Sequence, residues 1–178
     1  MRYRRVYIEG GSYFFTVVTE KRRKIFADDD NIKRLRTAFK SVMQKRPFVI
    51  DAAVVLPDHL HCIWTLPEHD CDYSTRWRLI KTAFTQQFPD KFVVRNASRN
   101  KKKQQDIWQY RGWEHCLRDE QDFQQHVDYI HYNPVKRGLV KRASDWRYSS
   151  IHRYIRLGIL DKDWGGGEMI FADDVGYE

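Results

Sequence analysis

The chain has 178 residues, of which 42% are hydrophobic, so it can form one domain with a substantial core and is too apolar for wholesale disorder. Its 32 lysines and arginines outnumber 24 acidic residues and give a formal net charge of +8, which favours a polyanionic partner, either nucleic acid or an anionic membrane surface. No apolar run approaches the roughly 20 residues of a membrane span, so we expect no membrane segment and favour nucleic acid as the partner.

The opening residues and the cysteines indicate a cellular compartment. The sequence MRYRRVYIEGG has neither the apolar stretch nor the small-residue cleavage site of a signal peptide. Cys62, Cys71 and Cys116 form an odd set without the spacing of a disulfide framework, which suits reduced thiols. We therefore expect a cytoplasmic protein.

The first half of the chain predicts three strands and one helix. Ser12–Thr19 is rich in aromatic and β-branched residues after a Gly-Gly turn, which indicates a strand. Apolar residues then recur at helical spacing from an aspartate cap at Asp28–Asp30 to about Lys45. Two further strands, Phe48–Leu56 and His59–Leu66, are separated by a Pro-Asp turn and must be antiparallel neighbours.

The second half alternates helices with one short strand. The predicted segments are a helix over Tyr73–Phe88, a basic loop over Pro89–Gln105, a strand within Trp108–Leu117, a helix over Asp119–Asn133 that ends at Pro134, and a helix near Asp145–Leu157. This order predicts an α+β fold, a ferredoxin-like antiparallel sheet with helices on one face. We assign residues 1–158 to one domain and residues 159–178, with three successive glycines, to a loosely attached C-terminal tail.

Two histidines in the sequence PDHLHCIW form a candidate metal site. Side chains alternate along a strand, so His59 and His61 should share one face while Leu60 and Cys62 occupy the other. Two imidazoles on one face can chelate a divalent ion. A pair of polar surface residues gives the same sequence pattern, so a third ligand is needed to identify a metal site. Because Cys62 faces away and no CxxC pair is present, a closed zinc site is disfavoured, and two histidines with a neutral oxygen suit Mg²⁺ or Mn²⁺.

A later helix carries a candidate nucleophile. Its apolar stripe consists of Phe123, Val127 and Ile130. Tyr129 and Asn133 lie one turn apart on a flank of that stripe, which they share with Asp122 and His126. The alternative for Tyr129 is a purely structural role at the edge of the core, and Tyr132 is a rival hydroxyl that points away from Asn133.

Three separated motifs carry a family resemblance. PDHLHCIWTLP, WEHCLR and VDYIHYNPVKRGLV, together with the opening YRRVYIEGGSYFFTV, resemble the REP-associated tyrosine transposases of bacteria, a branch of the HUH single-strand nucleases related to IS200-like transposases. The similarity runs from about Tyr3 to Ile155. It implies a ferredoxin-like nuclease domain that acts at repetitive extragenic palindromes (REPs), reading a DNA hairpin and a short adjacent tetranucleotide.

The resemblance also implies roles for individual residues. His59 and His61 would bind Mg²⁺ or Mn²⁺, and Tyr129 would attack single-stranded DNA to form a 5′-phosphotyrosine and release a 3′-OH. Asn133 would complete the metal shell; because related insertion-sequence transposases carry Gln there, Asp122 and His126 remain alternative ligands. The resemblance is compatible with either a monomer or a homodimer.

Basic and aromatic residues would supply DNA binding. Candidates for phosphate contacts are Arg2, Arg4, Arg5, Lys21, Arg22, Arg23, Lys24, Arg76, Arg78, Lys81, Lys101, Lys102 and Lys103. Candidates for stacking on unpaired bases are Tyr3, Tyr7, Trp77 and Trp108. Two other functions are compatible with these features: a hairpin-binding regulator without nuclease activity, and a metal-dependent RNA-processing protein.

Overall fold

The sheet has four antiparallel strands. A computed structural model describes residues 6–88, 107–173 and 175–176 of the chain. The strands are β1 (Ser12–Val18), β2 (Val49–Val55), β3 (His59–Thr65) and β4 (Trp113–Cys116), in the spatial order β2-β3-β1-β4. Every neighbouring pair is antiparallel, and the first and third strands are central, as in ferredoxin-like folds. The predicted α+β class with an antiparallel sheet is confirmed.

Four α-helices accompany the sheet within the described ranges. They are α1 (Asp29–Lys45), α2 (Tyr73–Thr85), α3 (Glu120–Lys136) and α4 (Ile151–Arg156). An aspartate side chain caps each of the three long helices by accepting a backbone N–H of the first turn; the caps are Asp28, Asp72 and Asp119. None of the helices in these ranges has the length and apolarity to cross a membrane.

Each face of the sheet has its own core. One core lies under α1 and α2 and includes Tyr13, Phe15, Trp64, Trp77 and Phe84. The other lies under α3 and includes Phe14, Val54, Ile63, Val127 and Ile130. The sequence analysis placed the helices on one face, which holds for α1 and α2, while α3 packs on the opposite face. The reason is that β1 and β3 are central strands with apolar side chains on both faces.

Helix α3 continues beyond its predicted end. Pro134 lies inside its last turns, and the helix ends at Lys136, where the Arg137 N–H donates to the Asn133 carbonyl at 2.9 Å. The expected stop at Pro134 is therefore wrong by about one turn. The consequence matters for the site, because Asn133 keeps helical torsions and its side chain has the direction that helix phase predicts.

Candidate active site

The two histidines lie side by side on a central strand. His59 and His61 occupy the start of β3, on the face that α3 covers, with ring centroids 4.9 Å apart and exposed fractions of 2% and 0%. Leu60 and Cys62 point into the opposite core. The observed alternation matches the predicted strand, and Cys62 is unavailable as a ligand on the histidine side.

Each histidine is held through its Nδ1 atom. The Asp58 carboxylate lies 2.5 Å from Nδ1 of His59 and also accepts from the Arg22 guanidinium at 3.2 Å. The Thr16 hydroxyl lies 2.9 Å from Nδ1 of His61. Hydrogen bonds at one ring nitrogen fix the orientation of a histidine and make the other nitrogen, Nε2, the ligand atom, as is usual in metal sites.

The surroundings also keep both rings neutral. Burial lowers the pKa of His59, against the opposing effect of Asp58. Burial, the neighbouring His59 and the positive charges of Arg137 and Lys136 lower the pKa of His61 well below its ordinary value. Neutral imidazoles have the lone pair that metal coordination requires.

Helix α3 brings a hydroxyl-bearing ring and an amide to the same place. The Tyr129 ring centroid lies 5.4 Å from that of His61, and the Asn133 amide nitrogen lies 3.3 Å from Nε2 of His61. Rotating the amide by half a turn exchanges its nitrogen and oxygen, so Asn133 can present an oxygen there. Two imidazole nitrogens and one neutral oxygen form a donor set that fits Mg²⁺ or Mn²⁺ with open positions for substrate oxygens.

The rival tyrosine belongs to a different environment. The Tyr132 hydroxyl donates to the Gly167 carbonyl at 3.1 Å. Tyr132 therefore points away from the histidine pair, as the helix phase predicts.

A second group of possible ligands lies between β4 and α3. His115, Asp122 and His126 each offer a ligand atom within 4.8 Å of the others, so residues able to hold a metal are present here too. However, the His115 and His126 rings stack at an interplanar angle of 20°, so their in-plane lone pairs run side by side rather than converge on one ion. The Asp122 carboxylate also accepts from Arg118 and His115, both at 2.9 Å, and these bonds lower its pKa despite burial.

The second group and the histidine pair share the Phe14 ring as a neighbour. The Phe14 ring centroid lies 4.8 Å from that of His126 in the second group and 5.4 Å from that of His61 in the histidine pair. The Asn133 amide nitrogen lies 3.3 Å from Nε2 of His61, whereas Nδ1 of His126 lies 2.8 Å from the Asp122 carbonyl oxygen. Asn133 stays the predicted third ligand, with Asp122 and His126 as the alternatives.

The C-terminal tail covers the tyrosine. The Tyr129 hydroxyl donates to the Gly176 carbonyl at 2.9 Å, and the Phe171 ring packs edge-on at 5.5 Å. A Cβ atom on Gly176 would lie 2.1 Å from the Tyr129 ring, so glycine is required for this approach. Burial raises the pKa of Tyr129 to about 12. The expected loose attachment is therefore wrong for Phe171 and for residues 175–176.

The comparisons with known proteins show the family of this chain. The family model described as "Transposase IS200 like" matches residues 8–133. The chain is 47% identical over 170 residues to the REP-associated tyrosine transposase of Escherichia coli K12, covering 96% of this chain and 94% of that protein. The chain belongs to the REP-associated tyrosine transposases.

Two further members of this transposase family are similar along their whole length. A Haemophilus influenzae protein named for the family is 44% identical over 164 residues, covering 92% of this chain and 93% of that protein. A solved structure of a REP-associated tyrosine transposase bound to a REP hairpin has a TM-score of 0.81 and 41% identity, covering 100% of this chain and 98% of that one.

The predicted phosphate-binding residues of this transposase fall into two groups. Arg2, Arg4, Arg5, Lys101, Lys102 and Lys103 lie outside the described residues, as does Tyr3. Lys21, Arg22, Lys24, Arg78 and Tyr7 are exposed, and Arg23 is partly buried. Arg22 lies beside the site, since it pairs with the carboxylate that holds His59. These residues stay predicted contacts.

Four residues predicted to bind DNA are fully or partly buried instead. Arg76 is 1% exposed, and its guanidinium donates to the Asp70 carboxylate at 2.7 and 3.0 Å and to backbone carbonyls, so it has no access to a phosphate. Trp77 and Trp108 are core residues on the α1–α2 face and cannot stack on bases. Lys81 is partly buried, with its Nζ atom 5.8 Å from the centroid of the Trp108 ring, and burial lowers the pKa of this lysine to about 8.

Several residues of the site escaped the sequence analysis. Asp58 stands directly before His59, and the pairing of a carboxylate with a ligand histidine is a signal that could have found it. Thr16 comes from a different strand, and only the register of β1 with β3 brings it opposite His61. No sequence pattern pointed to Gly176, because its role depends on where the C-terminal tail packs.

Proposed function

We propose that this transposase cleaves and rejoins single-stranded DNA beside a hairpin, with Tyr129 as the nucleophile. His59, His61 and Asn133 would hold Mg²⁺ or Mn²⁺. The observation that carries the proposal is the convergence of the Tyr129 ring and the Asn133 amide, both on α3, upon His61 of β3. A purely structural tyrosine would need no such neighbours.

The proposed step conserves the number of phosphodiester bonds. A bond forms between the Tyr129 phenol oxygen and phosphorus, and the bond from phosphorus to the 3′ oxygen breaks. The phenol loses its proton and the departing 3′ oxygen gains one. The 5′ end stays attached to Tyr129 as a diester, so a 3′-OH can attack it and rejoin strands without a nucleotide cofactor.

The surroundings of the site suit this reaction. A divalent ion bound here would supply positive charge to the scissile phosphate. The residues of the chain orient the parts: Asp58 and Thr16 fix the two rings, and α3 holds the phenol against them. The Gly176 carbonyl accepts a hydrogen bond from the Tyr129 hydroxyl, so the C-terminal tail must move away before a phosphate can approach that hydroxyl.

The substrate class follows from the relatives and from charge. One solved family member is bound to a REP hairpin, and this chain has a net charge of +8. We infer a hairpin-bearing single strand of DNA as the substrate, because extracting bases from a duplex costs a few kcal/mol each. We also infer that the protein works in the cytoplasm, where its three free thiols stay reduced, as a monomer or homodimer.

A covalent adduct is the decisive test. Labelled hairpin DNA with a single-stranded flank is incubated with the protein and Mn²⁺, and the products are run on a denaturing gel. We expect an adduct with the wild type and none with Tyr129→Phe, which keeps the ring but removes the attacking oxygen. Tyr132→Phe is the matched control and should retain most activity.

Three further lanes separate the alternatives. His59→Ala should lose the adduct while hairpin binding survives, and excess chelator should have the same effect on the wild type. Hairpin binding without any adduct would indicate a regulator that lacks nuclease activity. An adduct that forms with RNA and not with DNA would indicate the RNA-processing function.

A further inference from the structure

Lys136 is a cation beside the proposed nucleophile that the mechanism above does not use. It follows Tyr129 by seven residues, close to two turns at about 3.6 residues per turn, so both side chains lie on one face of α3. Helical side chains lean toward the N-terminus, which directs the lysine back along the helix. Its ammonium nitrogen lies 4.6 Å from the centroid of the Tyr129 ring.

The charges around the site are mostly positive. Arg137 and Arg22 act on His59, and Arg137, Lys136 and Arg22 act on His61. Asp58 is an acidic neighbour of His59, and it already pairs with Arg22 and His59. A divalent ion would add further positive charge. Such a pocket is electrostatically complementary to an anion.

Lys136 is available to that anion. It is an exposed residue, and no acidic side chain within the described ranges forms an ion pair with it. Arg22 differs in this respect, since its guanidinium already binds Asp58. The ammonium beside the Tyr129 ring is therefore placed to meet a phosphate that arrives at Tyr129.

We propose that Lys136 is a further catalytic residue, whose ammonium contacts a non-bridging oxygen of the phosphate that Tyr129 attacks. This inference rests on the proposed function. The ammonium would neutralise charge on the phosphate beside the nucleophile. The competing role is structural, because a lysine in the last turn also stabilises a helix through its dipole.

The test compares Lys136→Met and Lys136→Arg with Lys45→Met as the matched control. Lys45 is also an exposed lysine in the last turn of a helix, but α1 lies on the other face of the sheet. Single-turnover adduct formation is measured with hairpin DNA and Mn²⁺, and hairpin affinity and thermal unfolding are measured in parallel. We expect a loss of about 100-fold for Lys136→Met, the usual effect of removing one charge-stabilising donor, with substantial rescue by Lys136→Arg.

A modified substrate distinguishes a direct contact from a structural effect. The scissile phosphate is replaced by a neutral methylphosphonate, which lacks one charged oxygen. If Lys136 contacts that charge, the ratio of wild-type to Lys136→Met rates should shrink toward one with this substrate. An equal loss on both substrates, or unchanged adduct formation by Lys136→Met, would overturn the inference. Absence of an adduct with wild-type protein would instead overturn the proposed function and this inference with it.

Discussion

At the scale of single residues, the two histidines depend on partners that are not themselves proposed metal ligands. The Asp58 carboxylate accepts only, so the Nδ1 atom of His59 must carry a proton and Nε2 must be the lone-pair nitrogen. Thr16 holds His61 from the neighbouring strand. A ligand ring that is free to rotate loses orientation, and its affinity for an ion falls even though the ring itself remains.

We therefore expect Asp58→Asn to weaken metal binding by about 10- to 100-fold. The measurement is the Mn²⁺ concentration that gives half-maximal adduct formation, with hairpin affinity recorded alongside. Asp30→Asn is the control, since Asp30 pairs with Lys33 on the surface of α1 and touches no histidine. Identical Mn²⁺ curves for Asp58→Asn and the wild type would contradict a supporting role for Asp58.

The residues of the site differ in how far the sequence could predict them. Period-two alternation alone placed His59 and His61 on one face, and helical phase placed Tyr129 beside Asn133. Neither rule reveals burial of a charged residue. Arg76 carries the same charge as exposed Arg78, and only the approach of Asp70 from a neighbouring loop makes one of them a core residue.

At the scale of elements, helix boundaries followed the local sequence where caps were present. Asp28 predicted the start of α1, and the structure confirms it. Pro134 predicted the end of α3, but a proline in the final turn removes one backbone bond and leaves the later ones available. The strand predicted within Trp108–Leu117 shrinks to β4, because only Trp113–Cys116 pairs continuously with β1.

Sequence patterns could not predict the position of the C-terminal tail. Its contact with Tyr129 requires a glycine, so Gly176→Ala should push the tail off the ring and uncover the hydroxyl. We expect adduct formation to rise by about tenfold, equivalent to a shift of ~1.4 kcal/mol between covered and open states. Initial rates of adduct formation measure this change.

The control for the tail is Gly167→Ala, where a Cβ atom would meet no other atom within 4 Å. That variant should react at the wild-type rate. A Gly176→Ala protein no faster than the control would show that the tail does not limit access to Tyr129.

At the scale of the whole molecule, buried neutral histidines make stability depend on pH. Burial lowers the pKa of His131 to about 3. This ring is fully buried, and its Nε2 atom lies 2.8 Å from the Ser150 hydroxyl oxygen. The unfolded chain binds a proton at this residue below about pH 6.5, whereas the folded chain does so only near pH 3. The stability is therefore complete above pH 6.5 and declines as the pH falls through that window, by up to ~1.4 kcal/mol per pH unit.

Replacing His131 should flatten this dependence. We expect His131→Asn to lower the free energy of unfolding at pH 7.5 but to lose less of it between pH 6.5 and 4.5 than the wild type does. Urea unfolding followed by circular dichroism across that range measures both values. Parallel slopes for the wild type and His131→Asn would contradict the assignment.

Helix α3 has a consequence for inheritance. Tyr129, Asn133 and Lys136 all belong to the 17 residues of this one helix, whereas His59 and His61 belong to one strand. A recombination event that exchanges this short stretch between related genes would transfer the proposed nucleophile, third ligand and cation together, already in register. Such chimeras would inherit their DNA chemistry from one parent and their paired histidines from the other.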